Sequence, residues 1–176
     1  MYELTLKNAV EKTSEYLNTM VLPQQNLDTQ SPFYGAFTSF DENIDHAHES
    51  AYLISRCGVL CCAAFSGKAV IEQDISLLLK RMILAARSLR NFQRESGLTD
   101  LRGCNYDSSP DTGFVVQSLL LLIELIRRFP PKEEYKALWG TCLEELESFI
   151  HKAIPGLISG GFHTPNHRWV VSSALS

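Results

Sequence analysis

The feature that most constrains this chain is an alternation between two kinds of helical segment. Ala47–Phe65 is apolar or small almost all the way round after Glu49, with Arg56 as the clear exception. A helix that lacks a polar face has to be buried on most of its sides. A second such segment spans 112–129, where only Gln117, Ser118 and Glu124 interrupt the apolar surface between Phe114 and Ile126. A third starts near Asn166 and carries Val170, Val171, Ala174 and Leu175. Amphipathic segments at 7–20, 68–92 and 132–151 precede each of them, with charges gathered opposite one apolar stripe. In 68–92 that stripe is Ile71, Ile75, Leu78, Met82, Ala86 and Leu89, a helical period. No stretch reads as a strand, so the predicted fold class is all-α, in a single domain over 1–176.

The connections are as regular as the helices. Ser66-Gly67 and Pro130-Pro131 are short turns leading out of the apolar segments, whereas long loops rich in Gly, Pro, His, Asp and Tyr lead into them. Asp45, Asp111 and Asn166 stand where helix caps are expected, and their spacings of 66 and 55 residues suggest helical-hairpin repeats. A weak internal echo supports this. Ser109-Pro110-Asp111-Thr112-Gly113-Phe114-Val115-Val116 matches Thr164-Pro165-Asn166-His167-Arg168-Trp169-Val170-Val171 in its hydroxyl, proline, Asx, aromatic and Val-Val positions. Stacked hairpins put one helix of each pair in an inner layer and the other in an outer layer. All three long loops then gather at one end, over the starts of the inner helices. The third apolar segment has no amphipathic partner after it. The expectation is a fragment of a longer array, or else a second subunit forming a dimer over the exposed C-terminal helix.

Composition excludes several classes of function. A formal charge of −4 carries no basic excess, so nucleic acid is not an expected partner. The longest apolar run, Leu119 to Ile123, is far short of a membrane span, and the N-terminus lacks the pattern of a secretory signal. Five cysteines, three of them in one apolar helix, fit reduced thiols and a cytoplasmic location. Cys57 and Cys61 lie one turn apart, but no matching ligand pair completes a zinc site. His46 and His48, two apart at a helix start, point in different directions. Neither a metal nor a cofactor is implied, and there is no P-loop, GxGxxG, HExxH or nucleophile elbow.

The loops do carry reactive groups. In Asn166-His167-Arg168-Trp169, a helix start suits an anion and Arg168 can grip a carboxylate with two hydrogen bonds. His167 can exchange protons near neutrality, and Trp169 offers a flat face to a sugar ring or to the core. His163 precedes this cluster and can share in proton transfer. Tyr106 is a second acid-base candidate, beside Asp107 and Asp111, and Arg102 is a further anion ligand. His48 and Glu49 belong to a polar cluster with Asp41, Asp45 and His46. Phe33, Tyr34, Phe37 and Phe40 either line a cleft or anchor their loop. His151 reads as a structural residue.

Alternating hairpins with Asn-His-Arg-Trp opening an inner helix after Gly-Gly-Phe-His-Thr-Pro resemble the (α/α) toroid of polysaccharide lyases. The heparinase II/III-like and alginate-lyase-like groups are the nearest. The resemblance implies a lyase cleaving uronate-containing polysaccharide by β-elimination. Asn166, supported by Arg168 or His167, would neutralise the uronate carboxylate, with His167 or Tyr106 moving the C5 proton. Trp169, His163, Asp107, Asp111, His48 and Arg102 would bind an oligo- or polysaccharide. Two other readings stand beside it. Glycoside hydrolysis in the same cleft would use a carboxylate pair drawn from Asp45, Glu49, Asp107 and Asp111. A non-catalytic helical-repeat binding module would leave the loops unconverged.

Overall fold

A computed structural model describes residues 2–37, 47–101, 105–161 and 165–176. Asp41, Asp45, His46, Arg102 and His163, together with Phe40 and Cys104, lie outside the described residues. The described chain is mostly helical: α1 (Tyr2–Tyr16), α2 (Ala47–Phe65), α3 (Ile75–Asn91), α4 (Ser109–Arg128), α5 (Lys136–Ser159) and α6 (Pro165–Leu175). Two short strands, β1 (Thr99–Leu101) and β2 (Asn105–Ser108), pair antiparallel ahead of α4. They correct the expectation of a strand-free chain. The hairpin lacks a recognisable run of β-branched or aromatic residues, and it is held largely by its docking onto α4.

Neighbouring helices sort into two layers. In one, α2 packs on α4 and α4 on α6; in the other, α3 packs on α5. The hairpins α2–α3 and α4–α5 join the layers. Within a layer the helices run parallel, as the residue offsets show. His48 meets Asp111 and Ser55 meets the Ser118 carbonyl, both 63 residues on. Arg87 and Arg90 meet Glu145 and Gln93 meets Phe149, 55 to 58 residues on. Equivalent helices are thus offset by 63 residues between α2 and α4 and by 55 to 58 between α3 and α5.

The shared core explains the apolar pattern. Ile54, Cys57, Leu60 and Cys61 of α2 pack with Leu78, Leu79 and Met82 of α3, Leu119 and Leu122 of α4, and Cys142, Leu146 and Phe149 of α5. Burying side chains of this size stabilises by roughly 1.5–3 kcal/mol each. Burial also pushes the Cys57 and Cys142 thiols up to about 12. Apolar composition did not mean burial on every side, however. Tyr52 and Val59 of α2 and Leu121 of α4 are exposed on the face away from α3 and α5, Leu121 to 72%. α4 is long and apolar enough to cross a membrane by composition, but most of it is enclosed by its neighbours, as a core helix is.

Several boundaries differ from the sequence reading for identifiable reasons. The helix expected over 68–92 begins only at Ile75, because the Asp74 carboxylate caps it by accepting from Ser76 N at 2.8 Å. Gln73 is instead tied to Ser14 at 3.1 Å. The segment expected over 7–20 begins at Tyr2, and after Tyr16 it passes into a π-helical turn at Leu17–Val21 and a 3₁₀ turn at Leu22–Gln24, where Pro23 sits in the first turn. Proline is tolerated there, since that N–H is not needed. α5 runs past His151 and through Pro155 to Ser159. Ala153, Gly156 and Leu157 are buried there, and this packing overrides the proline.

Two sites make the architecture testable. Gly97 has φ +86°, and a Cβ there would lie 1.8 Å from the Lys152 carbonyl oxygen. Gly97→Ala is expected to destabilise by about 2 kcal/mol or more in urea titration. Burial pushes the Glu145 carboxyl up, but Arg87 and Arg90 outweigh it and hold the carboxyl below its usual value. A depressed carboxylate stabilises at neutral pH, and that contribution fades as pH falls through its folded-state pKa. Glu145→Gln is expected to cost about 1 kcal/mol at pH 7, a difference that should shrink towards zero in acid.

Candidate functional site

The starts of α2 and α4 meet at one end of their layer, and the site is built there from the capping of α4. Ser108 has an extended backbone (φ −92°, ψ 110°), and its Oγ accepts from Asp111 N at 3.4 Å. Ser108, and not Asp111, is therefore the cap. Asp111 occupies the third helical position, giving the Ser-x-x-Asp spacing of a capping box. The Ser108 hydroxyl in turn donates to Asp111 Oδ2. The hairpin is locked onto the same turn: Thr112 Oγ1 donates to the Ser108 carbonyl at 2.7 Å and accepts from Thr99 N at 2.8 Å.

Asp111 is buried, so its carboxylate needs partners. Besides Ser108, Oδ2 accepts from Asn105 Nδ2 at 3.2 Å, and Oδ1 faces His48 Nε2 at 3.3 Å. An ionised carboxylate only accepts, so His48 Nε2 carries the proton of that bond. This leaves the other ring nitrogen, Nδ1, as the acceptor in the neutral imidazole. The His48 ring is partly exposed and lies 5.9 Å from the Phe114 ring, centroid to centroid. Together with Glu49, Tyr52, Gln117 and Ser118 these two rings line a cavity of about 370 Å³. Tyr52 and Ser118 also line the adjoining apolar groove of about 810 Å³ between α2 and α4, which passes Val59 and Leu121 and ends at Arg127 and Arg128.

The other predicted residues are distributed around this pair. Tyr106 is 70% exposed on β2, and strand alternation puts it on the opposite face from Asn105. Asp107 has φ 53° and turns to Ser96 and Asp100: its carboxylate accepts from Ser96 Oγ, and its N–H donates to Asp100 Oδ1 at 2.8 Å. Asp107 and Asp111 therefore do not face each other. On α6, Pro165 is the first helical residue and Asn166 the second, so Asn166 is not the cap. Proline is favoured at that first position. Asn166 and Arg168 are exposed, His167 is half-buried, and Trp169 is 80% exposed. Val170 packs on Gly113, and its carbonyl accepts from Gln117 Nε2 at 3.2 Å. The α6 cluster thus sits one helix over from Asp111 and two over from His48, in the same layer.

The sequence reading named His48 and Asp111 but missed Asn105 and Ser108. Ser108 was legible in the Ser-x-x-Asp spacing. Asn105 was not, because only the hairpin brings it back over α4. Among the described residues no cluster of three or more His, Cys, Asp or Glu side chains is arranged to hold a metal. The chain matches no family model, no curated protein and no solved structure.

The His48–Asp111 bond fixes a tautomer, which nitrogen NMR reads directly. His48 is expected to show a protonated Nε2 and an unprotonated Nδ1 in its neutral form. Asp111→Ala should release that preference. A wild-type His48 protonated at Nδ1 would contradict the assignment.

Proposed function

We propose that this chain is a carbohydrate-active protein of the (α/α) hairpin type. In this reading an acidic oligo- or polysaccharide lies across the shared end of α2, α4 and α6. The observation that carries the reading is the His48–Asp111 pair beside the exposed rings of Phe114 and Tyr52. Aromatic faces give a sugar ring an apolar surface. A histidine oriented by a carboxylate can take a proton from a neighbouring carbon acid. The two parallel layers support the toroid as the architecture to which these hairpins belong.

The chemistry proposed is β-elimination at a uronate. His48 Nδ1 removes the C5 proton, the electron pair forms the C4–C5 double bond, and the C4–O bond breaks. The departing C4 oxygen leaves as an alcohol by taking up the proton that His48 removed from C5, which returns the imidazole to its neutral form. Asp111 is a positioning residue that holds the imidazole, while Arg168 and Asn166 on the neighbouring helix are the proposed partners of the uronate carboxylate. Tyr106 takes no part in this version. Hydrolysis is the weaker reading, because both oxygens of Asp111 are already engaged and Asp107 is turned to Ser96.

Acidic polysaccharides incubated with the protein are expected to yield products with the ultraviolet absorbance of an unsaturated uronate. His48→Ala should lower the rate by about 100-fold or more while the protein remains folded, with a modest loss of stability from the partner that Asp111 loses. New reducing ends without that absorbance would move the assignment to a hydrolase. Neither binding nor turnover across a broad panel of acidic glycans would remove the carbohydrate reading.

A further inference from the structure

The apolar groove of about 810 Å³ between α2 and α4 has Tyr52, Val59 and Leu121 exposed along it. An exposed apolar surface of this kind marks a place where something docks. Its two ends differ in charge. Glu49 lines the His48 cavity that adjoins the groove at the helix starts, and Arg128 lines the groove at the end of α4. Arg127 is held by Glu124 at 3.1 Å and by Glu147 at 3.3 Å. Glu49 and Arg128, by contrast, have no ion-pair partner among the described residues.

The register between the helices fixes how far apart these two charges stand. By the 63-residue offset, Glu49 is level with Thr112. Arg128 follows sixteen residues later, about 24 Å along the helix. The midpoint falls level with Cys57 and Leu120, within two residues of the exposed Val59 and Leu121.

A surface with an acid at one end, a base at the other and apolar groups between them fits a copy of itself turned end for end. A two-fold axis across the midpoint brings Glu49 to Arg128 of the partner subunit, and Arg128 to the partner subunit's Glu49. It also sets Tyr52 level with the partner subunit's Leu125, and both residue types line the groove. Such self-complementary contacts are the commonest in soluble homo-oligomers. The dipoles of the parallel helices α2 and α4 add, and an antiparallel second pair opposes them. We infer that the α2–α4 groove is the interface of an antiparallel homodimer, closed by two Glu49–Arg128 pairs around a centre of Val59 and Leu121.

The inference does not rest on the carbohydrate reading. Tyr52 lines both the groove and the His48 cavity, so a sugar and a second copy draw on the same ring. The contact lies on α2 and α4, beside the α6 surface that the sequence suggested for a dimer.

Sedimentation equilibrium from about micromolar to millimolar protein is expected to show monomer and dimer in exchange. Leu121→Asp should weaken the dimer by roughly 30-fold or more with helical circular dichroism unchanged, since Leu121 is 72% exposed. Glu49→Lys and Arg128→Glu should each weaken it by about tenfold or more, because each sets like charges together at both ends. An equimolar mixture of those two variants should recover the wild-type affinity, because both pairs of the mixed dimer are again opposite in charge. A monomer at every concentration overturns the inference and leaves the groove to a partner of another kind. A dimer indifferent to Leu121→Asp lies on another face and overturns it as well. Charge reversals without effect, or a mixture that fails to recover, overturn the antiparallel pairing on which the inference stands.

Discussion

The approach of α2 to α4 is the contact on which the rest of the structure depends. Gly58 has no side chain at the crossing, and a Cβ there would lie 2.3 Å from Leu122 Cδ1. The two helices are therefore close enough that their register is set by interlocking side chains, which do not slide in small steps. The same 63-residue offset recurs at both His48–Asp111 and Ser55–Ser118. A change in that register would move His48 off Asp111 altogether. The apolar packing of the layer and the polar pair at its end are thus two consequences of one contact.

The polar end is interlocked with the fold in the other direction as well. A buried carboxylate is costly unless it accepts hydrogen bonds, and Asp111 gathers them from α2, from β2 and from its own capping turn. Thr112 and Thr99 then hold the hairpin against the helix start. Removing any one of these groups leaves the others short of a partner. The site is held by structural bonds, and what it adds to them is a partly exposed histidine ring lining a cavity beside Phe114 and Tyr52.

The parts of this arrangement that were legible in the sequence are those governed by side-chain periodicity. Ala47–Phe65 was read with the boundaries it has, and the alternation of apolar and amphipathic segments separated the two layers. The ends of elements were less legible, because single hydrogen bonds decide them. Asp74 starts α3 seven residues after the start of the 68–92 segment, and buried Ala153 and Leu157 carry α5 through Pro155. Within the site, His48 and Asp111 stood out as residue types, but their pairing depends on a register between helices 63 residues apart. The loop reading gave most weight to Asn166-His167-Arg168-Trp169, a cluster that is contiguous in sequence yet mostly solvent-facing on α6. Gln93 was invisible to pattern reading, since an amide at the end of an amphipathic helix looks like any surface glutamine.

The most direct test of this account is a double-mutant cycle on folding stability, using His48→Ala, Asp111→Asn and the double variant in urea titration. The parallel register of α2 and α4 predicts that the two changes are coupled, with an interaction energy of about 0.5 kcal/mol or more. Additive effects, agreeing within about 0.3 kcal/mol, would mean that the two side chains do not meet. The register, the site and the function built on it would then be contradicted together.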